Sequence, residues 1–433
     1  MLIRYFIFSA LLLLSIQAFA KTLPTENWVS THSPLPFGER ITLQSVFLTE
    51  DEVIDVYLPN GFKQDSDSTQ YPLIITMDGW ALSQTVSGIA SHLMNTAALP
   101  NSIVVALHTD VWSRLPKAFV HSTDNWPAEP SSTLASAFKN NPHQAAKPFW
   151  QFLEKELIPY LEENYRANHF RTFVGMSPTA YMGLHTMLKG PDLFSAYILI
   201  AATDVIGLGY TQKSDFVDEI VQAAANGHLN NKFLYVASAE FEARREPLHY
   251  KNAQKLVEGL SPYSDKLSFK VEHIDHFGHY PVAIPALTNA LNMIFPRHEF
   301  QKFQEFHNAS GAALPKIIGH YDNLSERYGV KVNIPTNIPR NPNSLRAIGY
   351  KLLKQESYAQ AEAVFTLWTQ ISDKDPNAYF WLSRAFNSTG NMQKAISHLE
   401  KAIAVSPTET PNNIDYFQRL LVQYKNQQSD ATH

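Results

Sequence analysis

"FVGMSPTAYMGL", residues 173–184, is the stretch on which the fold turns. An apolar run closes on Gly175, Met176 and Ser177, and helix-compatible residues follow, so the segment reads as strand, sharp turn and helix. A serine on such a turn stands exposed at the end of its strand, where a nucleophile has to stand. Two positions depart from G-x-S-x-G: Pro178 follows the serine, and Thr179 takes the place of the second glycine. From this stretch alone Ser177 reads equally as a working nucleophile or as the relic of one.

On both sides of the stretch, apolar runs alternate with helical patterns. ITLQSVFL and VIDVYLPN read as a β-hairpin, and PLIITMD (72–78), SIVVALHT (102–109), RTFVGM (171–176), AYILIAA (196–202), KFLYVAS (232–238) and LSFKVEHI (267–274) read as strands. Helices are expected at 82–97, 146–164, 178–188, 214–225, 248–259 and 281–294. Strands that are apolar along their length are those of a parallel sheet covered on both faces, so the expectation is an α/β fold with a mostly parallel central sheet. Residues 113–145, rich in Pro, Ser, Asn and Trp, interrupt the alternation and read as a loop over the edge of the sheet, fit for substrate contacts or simply solvated.

Pro335, Pro339 and Pro342 mark residues 301–340 as a linker. Beyond it Leu345, Ile348, Gly349, Leu352, Ala361 and Phe365 recur as Tyr379, Leu382, Ser383, Phe386, Ala395 and Leu399, each pair 34 residues apart. That period is the tetratricopeptide repeat, so residues 341–428 read as a small all-α domain of two repeats closed by a capping helix at 414–424. Its expected use is packing, homo-oligomer formation or contact with a protein; two repeats make a weak scaffold.

The 433 residues are 45% hydrophobic and 17% charged, a globular composition of more than one domain. With 35 basic against 40 acidic residues the formal charge is -5, which gives no footprint for nucleic acid. Residues 1–20, MLIRYFIFSALLLLSIQAFA, run from an arginine through a short apolar stretch to an A-x-A site and read as a cleavable signal peptide, placing the product in a periplasm or outside the cell. No later stretch is long and apolar enough to span a bilayer. The absence of cysteine removes disulfides, thiolate nucleophiles and thiolate metal sites.

A serine hydrolase of this topology places a nucleophile, an acid and a histidine in that order after successive strands. Ser177 follows the strand at 171–176, acidic residues follow the strand at 232–238, and His279 follows the strand at 267–274. The oxyanion of such a site is held by the NH after the serine and by an NH from the loop after the third strand, here Gly79 or Trp80. Pro178 has no NH to give. His273, Asp275, His276 and His279 form a competing cluster with the ligand types of a divalent metal site; the reading adopted here assigns no metal.

YPLIITMDGW, QFLEKELIPYLEENYRANHFRTFVGMS, GPDLFSAYILI and HYPVAIPALTNAL together resemble the esterase branch of the α/β-hydrolases that includes the enterochelin-type siderophore esterases, some with a tetratricopeptide extension like that after HYDNLSERYG. The resemblance implies an α/β-hydrolase domain over 21–300 and a carboxylic-ester hydrolase needing no cofactor and acting on a small-molecule ester. It implies Ser177 as nucleophile and His279 as general base, with His276 second, because Pro285, Ala286 and Leu287 fix the register. For the acid it implies Glu242, with Glu240 second; Ala239 stands where the family has glycine. Arg114 matches a position near the family's site. The alternative is a binding protein on the same fold that has lost its oxyanion hole.

Overall fold

The computed structural model describes residues 38–48, 50–108, 142–209, 215–240, 248–307, 312–338, 341–406 and 411–430. Residues 1–20 and the span 113–141 of the expected loop lie outside them, as do Arg114 and Glu242.

Eight strands form one sheet: β1 (Glu39–Leu43), β2 (Glu52–Tyr57), β3 (Tyr71–Thr76), β4 (Ile103–Leu107), β5 (Ala167–Met176), β6 (Ala196–Ile200), β7 (Phe233–Ala239) and β8 (Ser268–Ile274). Their order is β1-β2-β4-β3-β5-β6-β7-β8. β1 and β2 pair antiparallel, as does β2 with β4, while every pair from β4 to β8 is parallel. The central strands are buried on both faces, which is why their sequences are apolar without alternation. Edge strand β8 alternates exposed and half-buried positions over its first half.

Successive residues feed opposite cores. Ile74, Val174, Ile198 and Ile200 face one layer, and Leu73, Ile75, Phe173, Tyr197 and Leu199 face the other. The second layer holds α2 (Pro142–Phe152), which runs through a π turn into α3 (Ile158–Tyr165), with α4 (Ala180–Lys189), α5 (Phe216–Ala225) and α6 (Leu248–Leu260). The first holds α1 (Gly79–Asn95) and α7 (Ala283–Ile294), and it continues into the C-terminal helices.

The segment 301–340, expected as a linker, contains α8 (Ala313–Tyr328), which buries Ile317, Tyr321, Leu324 and Tyr328 against the sheet layer. The Tyr328 ring meets those of Phe170, Phe233, Phe295 and Phe300. Next come α9 (Leu345–Lys354), α10 (Tyr358–Ile371), α11 (Pro376–Ser388), α12 (Met392–Ala404) and α13 (Pro411–Asp430), each packed on its neighbour in sequence. The recurring positions Leu345, Ile348, Leu352, Ala361, Phe365, Leu382, Phe386, Ala395 and Leu399 are buried there. Asp65, in the loop before β3, accepts from Tyr71 Oη at 2.7 Å and from Ser372 Oγ at 2.5 Å, and the Ser66 amide donates to the Ile371 carbonyl at 2.8 Å. Residues 38–433 accordingly form one compact unit.

Candidate active site

Four loops leave the carboxyl ends of parallel strands β3, β5, β7 and β8, where ligands of open α/β sheets bind. The loop after β5 is the elbow. Ser177 has a left-handed backbone with φ 53°, between extended Met176 and the single 3-10 turn Ser177–Thr179 that leads into α4. This conformation is unfavourable for a residue with a side chain and is held here by its surroundings. Pro178, as the second residue of that turn, has no amide to present but a φ that suits a helix start. The glycine missing at 179 is compensated further along: a Cβ on Gly183 would meet the Phe173 ring of β5 and the Leu199 side chain of β6 at 2.8 Å, so Gly183 lets α4 lie close on the sheet.

Thr179 is fully buried. Its hydroxyl accepts from the Met176 amide at 2.7 Å and donates to Asp78 Oδ2 at 2.5 Å, with the Met176 carbonyl also at 2.9 Å. That hydroxyl is therefore spent on the protein and does not replace the NH that Pro178 lacks.

Asp78 and Gly79 follow β3. Asp78 is left-handed, with φ 58°, and Gly79 opens α1 under the carbonyl of Leu107, which a Cβ there would approach to 2.8 Å. No side chain fits that position, and the backbone of the candidate oxyanion loop is held against β4. Burial pushes the Asp78 carboxyl up to about 6; Thr179, the Met176 amide, Trp80 and the charge of His279 act in the opposite direction. The ring contact between Trp80 and Tyr280 brings the loop after β8 against the loop after β3. His279 is half-buried, and its ring lies edge-on to Tyr280 with centroids 5.1 Å apart. Tyr280 in turn meets Trp80 edge-on at 5.9 Å, and these two rings are 58% and 65% exposed, forming an aromatic rim beside His279.

Glu240 follows β7 and accepts from the His276 amide at 2.7 Å, which fixes it against the loop after β8. The His276 side chain itself points to solvent. His273 is engaged elsewhere, 3.0 Å from Ser238 Oγ, 3.2 Å from Tyr250 Oη and 3.2 Å from Asp275. Among the described residues no group of three or more His, Asp or Glu is placed to hold a metal ion.

Ser177, His279, Glu240, Gly79 and Trp80 thus share one end of the sheet. Sequence reasoning assigned no role to Asp78 or to Tyr280. The available signal was a short polar residue directly before the glycine of the loop after β3, and an aromatic residue next to the histidine.

Residues 45–256 match the family model Esterase, described as "Putative esterase". A comparison with curated proteins finds no match. Among solved structures, an IroE-like serine hydrolase from Shewanella oneidensis aligns over 77% of this chain and 99% of its own, with 19% identity and a TM-score of 0.58. A protein from Capnocytophaga ochracea, titled uncharacterised, aligns over 88% of this chain and 99% of its own, with 17% identity and a TM-score of 0.50. At these identities the likeness is one of fold. The esterase match runs from the start of the β1–β2 connection into α6, covering β2 to β7, and it includes Ser177, Gly79, Trp80 and both candidate acids. His279 lies beyond its end. Among the described residues no helix is long and apolar enough to cross a membrane.

Proposed function

We propose that this chain is an exported serine esterase of the siderophore-esterase type, hydrolysing a small-molecule carboxylic ester through an acyl-Ser177 intermediate. The observation that carries the reading is the left-handed Ser177 at the end of β5, within the stretch that matches the esterase family. A strained nucleophile turn is stored cost without a reaction to use it.

In this reading His279 takes the Ser177 hydroxyl proton as the oxygen attacks the ester carbonyl. The carboxylate of Glu242, or of Glu240 in its place, holds the imidazole in the right tautomer. The oxyanion draws on amides of Gly79 or Trp80. His279 returns the proton to the leaving alcohol, then activates water, which releases the acid and frees Ser177. Arg114 and the Trp80–Tyr280 rim contact substrate, and no cofactor enters. Residues 1–20 serve as the export signal, 21–300 as the hydrolase domain, and 341–428 as two tetratricopeptide-type repeats available for self-association or a protein contact.

The second reading, a binding protein on a hydrolase fold, draws on Pro178 and on the occupied hydroxyl of Thr179. One experiment separates the two. A fluorophosphonate probe on the mature protein, with mass-spectrometric assignment, should mark Ser177, and Ser177→Ala should abolish both the mark and hydrolysis of small aryl esters. An unmarked protein that still binds ligand favours the second reading.

A further inference from the structure

One hydrogen bond joins the residue that breaks the elbow pattern to the loop after β3. Thr179 Oγ1 donates to Asp78 Oδ2 at 2.5 Å, across 101 residues of sequence. Both residues stand at helix N-cap positions, Asp78 before α1 and Thr179 before α4, and neither side chain caps its own helix. Such a cap is ordinarily worth about 1 kcal/mol. Both helices forgo it, and the two side chains are spent on each other. The Met176 amide completes the arrangement by donating to Thr179. Asp78 and Ser177, one on each side of the bond, are both left-handed. Two unfavourable backbones are therefore braced by a single buried contact.

We propose that Asp78 is a positioning residue for Ser177: through the Thr179 hydroxyl it fixes the nucleophile turn to the loop that begins the candidate oxyanion hole. The role rests on the esterase reading given above. Where a glycine at position 179 would let helix and strand close by packing, a hydroxyl here ties the turn to the β3 loop instead. The serine and the Gly79 amide then keep a constant separation, which matters most in a site with one oxyanion donor missing.

The test is the rate at which a small fluorophosphonate labels Ser177, followed from pH 5 to 9 in four full-length proteins. Thr179→Val keeps the shape and loses the hydroxyl; it should label more slowly by about tenfold or more, the scale of a displaced reacting group. Thr179→Ser keeps the hydroxyl, loses the methyl, and should label within about twofold of the unsubstituted protein, which a packing role would not allow. Asp78→Ala removes the acceptor from Thr179 and should label as slowly as Thr179→Val. Thermal melts check that each variant is folded. If Thr179→Val labels at the original rate, or Thr179→Ser is as slow as Thr179→Val, the positioning role is overturned while the esterase reading stands. If the unsubstituted protein does not label at Ser177, both are overturned together.

Discussion

Pro178 removes the amide that a serine hydrolase of this topology would aim at the oxyanion. Loss of one such donor costs about 100- to 1000-fold in turnover. Pro178→Leu returns an NH at the start of a turn that tolerates either residue, and esterase kcat should rise, by up to about 100-fold. A kcat unchanged or lowered in a folded variant would show that another donor already fills the position. Asp78 makes a different prediction, about stability. Its carboxyl is pushed up to about 6 from an ordinary 3.8, so the unfolded chain ionises first as pH rises. Between about pH 4 and pH 6 the native state holds the extra proton, and stability falls across that window by an amount on the order of 2–3 kcal/mol. In Asp78→Asn that slope should disappear from denaturant titrations made at successive pH values. The turn at Ser177 was legible from its neighbours in sequence. The Asp78–Thr179 bond was not, because Asp and Thr before a helix read as ordinary caps and only the folded sheet brings them together.

At the scale of elements, the strands were readable because burial on both faces leaves a parallel strand no room for polar alternation; β4 and β6 are apolar end to end, and β3 departs only at its last residue, Thr76. The order of the site followed from them, since each candidate sits just past a strand. Boundaries were less legible. β5 begins at Ala167, four residues ahead of the apolar run that announced it, with exposed His169 inside it. Helix α8 was hidden by the prolines that follow it, although Ile317, Tyr321, Leu324 and Tyr328 keep a helical spacing and Gly329 ends the helix with φ 64°. The seating of α4 on the sheet is an element-level property that a single methyl can probe. Gly183→Ala places that methyl 2.8 Å from Phe173 and Leu199, and should cost about 1–3 kcal/mol in chemical denaturation. Stability equal to the unsubstituted protein would mean that α4 can lift without penalty.

The sheet and the C-terminal helices are joined more tightly than the sequence suggests. The layer under α1 and α7 continues through Tyr328 into α9–α13 without a break, and Asp65 near β3 takes its hydrogen bonds from Tyr71 on one side and Ser372 on the other. A chain ending at Phe306 would uncover Phe170, Phe233 and Phe295, each worth about 1.5–3 kcal/mol when buried. It should be recovered in lower soluble yield and melt well below the full-length protein; an equal melting temperature would show the helices to be dispensable. The bond between Asp65 and Ser372 also has a kinetic side. Its partners are 307 residues apart, so during synthesis the aspartate is made long before the hydroxyl that satisfies it. Closing so long a loop is slow. The loop before β3 therefore gains its last hydrogen-bond partner only after Ser372 has been made.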